Sequence, residues 1–207
     1  DLWVSNLGDC LWLETEPAYQ TKLNETLDRY LIADDVVITD ETDAWVILGV
    51  VGPKADEMVN VVFCGGGPLP EHHTKEIEWA GTPVWITRRS IFGGAGFDIR
   101  SSVSVGGAVW QALLDAGGTP IGSEMQEILR VEAGTPRCGV EIDESVAPLE
   151  AGLSDTVDFD KGCYIGQEVI AKMHFRGKPR RYLVGVEVDG DEILEPNTDI
   201  VAENKTV

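Results

Sequence analysis

The chain has 207 residues, 43% of them hydrophobic, and carries 36 Asp and Glu against 16 Lys and Arg for a net charge of −20. That length holds one large core or two small ones, and the acidity disfavours generic binding to nucleic acid or a membrane surface; it reads as a solubility or high-salt adaptation, or as a complement to a cationic partner. The longest apolar run, Ala44 to Val51, is far short of the roughly 18–20 residues of a membrane span, and the spread of Cys10, Cys64, Cys138 and Cys163 points to reduced thiols in a cytoplasmic setting rather than a disulfide framework or a metal site.

In chain order, Asp1-Leu-Trp-Val opens as if in mid-strand with no start methionine, and Val201 to Val207 closes in another extended segment, so both ends read as cut. Leu2 to Leu7 and Cys10 to Glu14 flank Gly8-Asp9 as a hairpin. Pro17 opens a helix whose Leu23, Leu27, Tyr30 and Leu31 form an apolar stripe. Val36 to Thr39 and Trp45 to Val51 read as an antiparallel strand pair, Pro53 as the first turn of a helix through about Val62, and Cys64 to Pro70 as a loop. Pro83 to Thr87 and Gly96 to Arg100 are strands joined by a glycine-rich turn. Val105 to Ala116 is a helix stopped by Gly117-Gly118, and Ser123 with Gln126 forms a capping box for a helix through Val131. Gly134 to Phe159 is a long acidic connection, Asp160 caps a short helix over Gly166 to Met173, and Tyr182 to Val188 starts a new β unit, with a domain boundary near residue 178. Hairpins alternating with helices predict an α+β fold of antiparallel sheets rather than a doubly wound sheet.

Residues 160 to 181 hold the most unusual chemistry: Cys163, two glycines, Gln167-Glu168, and then His174, Arg176, Lys178, Arg180 and Arg181 as a local anion-compatible patch. With a helix starting near Tyr164, the Cys163 sulfur lies at its N-terminus, where free N–H groups and Lys161 favour a thiolate; the plain alternative is a small buried hydrophobe at a tight turn. Phe92-Gly-Gly-Ala-Gly-Phe97 lacks the Lys-Ser/Thr of a phosphate loop and is read as a β-turn. His72-His73 is weak evidence for metal, Asp34-Asp35 reads as solvated acids, and no Ser-His-Asp set can be assembled.

Lys161-Gly-Cys-Tyr-Ile-Gly-Gln-Glu168 resembles the signature of YgfZ-type folate-binding proteins, a branch of the glycine-cleavage T-protein superfamily, and Val169 to Gly177 extends the similarity. Leu129-Arg-Val-Glu-Ala-Gly134 and Pro148-Leu-Glu-Ala-Gly-Leu153 resemble the aminomethyltransferases of that superfamily. The resemblance implies antiparallel sheets with packed helices around a central folate cavity over residues 1–177, the start of a C-terminal β-barrel over 178–207, and a missing N-terminal part. It implies tetrahydrofolate as ligand and iron-sulfur client or assembly proteins as partners. Cys163 becomes the working thiol, and Asp1 falls at or beside a strand-start acid near the reactive folate nitrogen. Arg130 becomes a charged contact near the folate or an internal ion pair with an acid such as Glu132, and Lys161, Tyr164, Gln167 and Arg176 are the remaining candidate folate contacts. T-proteins carry Thr-Gly-Glu where this chain reads Phe92-Gly93-Gly94, which removes an acceptor for the pterin amide edge. The leading expectation is therefore a folate-dependent factor for assembly or repair of iron-sulfur proteins; the alternative is a folate-dependent aminomethyl- or demethyltransferase.

Overall fold

A computed structural model describes residues 2–64, 69–190, 194–195, 198–202 and 205–206. The first hairpin pairs β1 (Trp3–Asn6) with β2 (Leu11–Glu14), and its turn places Gly8 at φ +99°, a backbone that glycine adopts without strain. A 3₁₀ turn at Pro17–Tyr19 leads into α1 (Gln20–Tyr30).

Four strands, β3 (Trp45–Val51), β4 (Thr74–Trp79), β5 (Thr82–Arg88) and β6 (Gly96–Ser102), form an antiparallel sheet in the order β3-β6-β5-β4. The register pairs Val50 with Phe97, Leu48 with Ile99 and Ile86 with Ile99, so strand alternation gathers these side chains on one face. On that face pack α2 (Ala55–Val62), through Ala55 and Val59, and α3 (Val103–Asp115), through Val109 and Leu113. Val59, Val84, Ile86, Phe97, Ile99 and Val109 are fully buried, each contributing roughly 1.5–3 kcal/mol by leaving water. Gly117 and Gly118 end α3 by donating to Leu114 O and Leu113 O at 2.9 and 3.0 Å. The chain continues through α4 (Ser123–Glu132), a long irregular connection, α5 (Gln167–Arg176) and the two-residue pair β7 (Val201–Ala202) and β8 (Lys205–Thr206).

The mixed α/β architecture with antiparallel sheets is as expected, whereas several elements differ. Val36 to Thr39 is not a strand: β3 pairs along all seven residues with β6, and Val37 lies 86% exposed. β4 escapes the periodicity reading because Lys75, Glu76 and Glu78 leave little apolar signal; Ala80 and Gly81, at φ +50° and +78°, close it onto β5 as a two-residue turn suited to strand twist. Ser123 does not cap α4. Gly122 occupies that position with an extended backbone, and Ser123 already lies in the first turn. α5 begins at Gln167 rather than near Tyr164, because Gly166 adopts φ +85° and breaks the helical path, and it runs on to Arg176. Tyr182 to Val188 forms no strand; its Leu183 N–H donates to Glu150 O at 2.8 Å, and Tyr182, Val184 and Val186 are exposed.

Candidate functional site

The second face of the four-stranded sheet is polar and aromatic. Pairing Trp85 and Ile47 with Arg100, and Thr87 and Gly49 with Asp98, puts all of them on the side opposite the core. The β1–β2 hairpin lies over this face. From it Glu14 reaches both Arg89 and Arg100 in ion pairs, and Arg89 also binds Asp98. Arg89 and Arg100 are buried, with Arg100 only 3% exposed. Indoles roof the two guanidinium groups: the Arg89 Cζ stands 4.6 Å from the Trp3 ring centre, and the Arg100 Cζ 4.4 Å from that of Trp12. Trp12, Trp45 and Trp85 touch one another at 4.8–5.2 Å between centroids. Arg100 Nη1 has no hydrogen-bond acceptor among the described residues.

Burial governs the electrostatics of this layer. It pushes Asp98 above the usual aspartate value, with the Arg89 guanidinium opposing, and brings Arg100 down to about 10. A groove of about 340 Å³ runs past Trp45, between Asp43, Val46, Val103 and Gly106.

Arg130 occupies a separate cluster. Its guanidinium donates to Thr135 O, to Glu127, and to both Glu141 oxygens at 2.9–3.0 Å. Glu127 also accepts from Arg137 Nη1 at 2.8 Å. These bonds raise the Arg130 pKa and lower that of Glu127; Glu141, which burial pushes up, is held below its ordinary value by Arg130 and the Arg137 N–H. The internal pair expected with Glu132 is therefore made instead with Glu127 and Glu141, because one turn of α4 brings Glu127 alongside and the 135–141 loop folds back over Arg130.

Lys161, Cys163, Tyr164 and Gln167 lie together on the segment entering α5, with the Lys161 Nζ 4.6 Å from the Tyr164 ring centre and the Gln167 N–H donating to Tyr164 O at 3.2 Å. Cys163 is exposed and four residues ahead of Gln167, so the expected seat of its sulfur in the first helical turn is not formed. Arg176 is the exposed last residue of α5. No hydrogen bond or ion pair among the described residues joins Arg130 to this segment. Asp1 lies outside the described residues. The sequence reading missed Glu14, Arg89, Asp98 and Arg100; its available signal was Asp98 and Arg100 alternating with Phe97 and Ile99 in an otherwise apolar strand. Among the described residues no three His, Cys, Asp or Glu side chains converge on a metal position.

Residues 1–161 match the family described as the GCVT N-terminal domain. The chain is 28% identical over 208 residues to an aminomethyltransferase of Exiguobacterium sibiricum, covering 100% of this chain and 58% of that protein. It is 33% identical over 158 residues to the aminomethyltransferase of Rubrobacter xylanophilus, covering 75% and 42%. A chloroplastic protein of Arabidopsis thaliana that bears a transferase name is 29% identical over 209 residues, covering 99% and 47%. The chain thus spans about half the length of the curated relatives it matches.

Proposed function

Because the chain belongs to the GCVT N-terminal domain family, within the glycine-cleavage T-protein superfamily, we propose that it forms the folate-binding part of a tetrahydrofolate-dependent aminomethyltransferase. This reverses the order of the two sequence readings, since the named relatives are aminomethyltransferases. The observation that carries the proposal is the layer of Glu14, Arg89, Asp98 and Arg100 under Trp3 and Trp12. A flat heterocycle with amide edges needs aromatic faces for stacking and paired donors and acceptors for its rim. The layer offers indole faces and the unsatisfied Arg100 Nη1 donor, and Asp98 lies on the sheet that carries the acid-free Phe92-Gly93-Gly94 turn, with Glu14 facing it from the hairpin. Tetrahydrofolate is then the acceptor of the one-carbon unit, and Asp1 is the carboxylate that orients or deprotonates the reacting amine. The central cavity, the folate domain over residues 1–177 and the start of a barrel over 178–207 belong to the same proposal. Four free cysteines fit a reducing compartment such as the cytoplasm.

The test uses the full-length protein, tetrahydrofolate and an aminomethylated carrier, following one-carbon transfer to the folate together with direct folate binding. Turnover with saturable binding supports the reading. Absence of binding at high micromolar folate ends it.

A second reading rests on the exposed Cys163 within the Lys161 to Glu168 motif: a YgfZ-type factor that supports iron-sulfur client proteins through that thiol. Cys163→Ser in the organism would then lower the activity of iron-sulfur enzymes without altering folate affinity. Normal activities in that strain exclude it.

A further inference from the structure

The four-stranded sheet ends differently at its two edges. β4 carries Lys75, Glu76 and Glu78, charges of the kind that blunt an open edge, whereas Trp45 to Val51 of β3 carries none in a chain of net charge −20. β6 occupies one edge of β3, and along the other no strand pairs among the described residues. The groove of about 340 Å³ runs beside that open edge, lined by Trp45, Val46, Val103, Gly106 and Gly107. A Cβ at Gly107 would meet nothing within 4 Å, so α3 leaves room there for another side chain.

Separated from β3 by Asp40 to Ala44, the run Val36-Val-Ile-Thr39 has strand composition. Val36 and Val37 are exposed, and no hydrogen bond reaches the four residues among those described. The connection to β3 is already a turn: Asp40 Oδ1 accepts from the Thr42 N–H at 3.0 Å, and the Ala44 N–H donates to Glu41 O at 2.9 Å. Its length is a common one for a hairpin loop. Pairing across it sets Thr39 opposite Trp45, Ile38 opposite Val46, Val37 opposite Ile47 and Val36 opposite Leu48. Strand alternation then carries Val36 and Ile38 to the side of Leu48 and Val50, where α3 packs, and brings Ile38 to the groove. On the other side Val37 covers the exposed Ile47. Acids oppose this closing: Asp34 and Asp35 precede the run, Asp40, Glu41 and Asp43 follow it, and Asp35 arrives opposite Gly49, on the face that holds Asp98. Salt screens that repulsion. A second copy would bring a further net charge of −20 to the same edge, whereas a segment on so short a tether acts at high effective concentration.

We propose that Val36 to Thr39 is a strap that adds to the open edge of β3 as a fifth strand and closes the groove at Gly106 as ionic strength rises. Closing also braces Trp45, which touches Trp12 and Trp85 beside Arg100, so the strap reaches the buried layer through one indole. The inference stands apart from the folate reading.

The test follows backbone amide exchange of the full-length protein by mass spectrometry in 0.1 and 2 M KCl, with a free peptide of residues 33–41 as the unpaired reference. At low salt the run is expected to exchange at the rate of the peptide, and at high salt to slow by about tenfold. Val37→Pro/Ile38→Pro removes a ladder donor whichever of the two N–H groups faces β3, and is expected to keep exchange fast at both salts. Neither N–H is bonded in the open form, so far-UV circular dichroism of this variant should match that of the unaltered protein at low salt. In Val37→Cys/Ile47→Cys, oxidation at high salt is expected to link the two positions within one monomer, as peptide masses will show. Fast exchange at both salts with no such link overturns the inference. Protection that grows with protein concentration, with the link running between two chains, assigns the edge to a second copy and also overturns it.

Discussion

Glu14, on the second strand of the first hairpin, forms an ion pair with Arg100, on β6, one of the two inner strands of the four-stranded sheet, and this contact carries a guanidinium that is 3% exposed. Glu14 also serves Arg89, whereas Arg89 has Asp98 as a second acid. The two ends of the pair are therefore unequal. Glu14→Leu strands Arg100 as a buried charge and is expected to cost about 3–5 kcal/mol. Arg100→Met leaves Glu14 paired with Arg89 and costs less, and the double variant Glu14→Leu/Arg100→Met regains most of the loss. Urea unfolding midpoints of the three proteins check this order.

The Arg130 cluster sets an acid limit. Hydrogen bonds from Arg130 lower the folded-state pKa of Glu127, and at Glu141 burial is outweighed by that guanidinium together with backbone N–H donors, including that of Arg137. Their stabilising contribution is therefore present above the ordinary glutamate value of 4.5 and is lost as pH falls through the lower folded-state values. Asp98 has the opposite sign: burial raises it, so its contribution is full at low pH and declines as pH rises through the folded-state value. Arg130→Met is expected to move the acid-unfolding midpoint upward, and Asp98→Asn to steepen the acid limb, both read by circular dichroism.

Two adjacent glycines in α3 are expected to respond oppositely to alanine. A Cβ at Gly106 would stand 2.4 Å from Val46 Cγ1, and the branched valine on β3 has little freedom to yield. Gly106→Ala should cost about 1–3 kcal/mol. Nothing lies within 4 Å of a Cβ at Gly107, so Gly107→Ala should stabilise by about 0.4–1 kcal/mol through the unfolded chain. Thermal unfolding of both variants checks the sign.

With a net charge of −20, self-repulsion among surface carboxylates opposes the compact state and is screened by salt. The melting temperature is expected to rise between 0.1 and 2 M KCl. The buried Glu14–Arg100 pair is screened much less, so the stability difference between Glu14→Leu and the unaltered protein should be nearly constant across that range.

Residues that obey one strong local rule were legible in the sequence. Pro83 to Thr87 and Gly96 to Arg100 alternate about apolar side chains, and Gly117-Gly118 supplies the backbone that stops α3. Failures came where a distant partner decides. Val36 to Thr39 has strand composition, yet β6 takes the full length of β3. Strand β4 has a weak pattern, yet β5 pairs with it through all six residues. The buried layer was hidden for the same reason: Glu14 and Arg89 lie 75 positions apart, and local context gives each the look of an ordinary surface charge. Conversely, the Lys161 to Glu168 motif marks a relationship by its order of residues, and nothing in that order fixes Gly166 in the left-handed region or leaves Cys163 ahead of the helix.

The strand order β3-β6-β5-β4 has a consequence for synthesis. β3 leaves the ribosome ahead of β6, its sheet neighbour among the described residues, which emerges after α2, β4 and β5. The β4–β5 hairpin closes locally while Trp45-Val-Ile-Leu-Gly-Val-Val51 waits with open edges and an apolar face. During that interval the nascent chain presents an adhesive ribbon, and its safe passage depends on translation speed and chaperone occupancy rather than on the stability of the finished sheet.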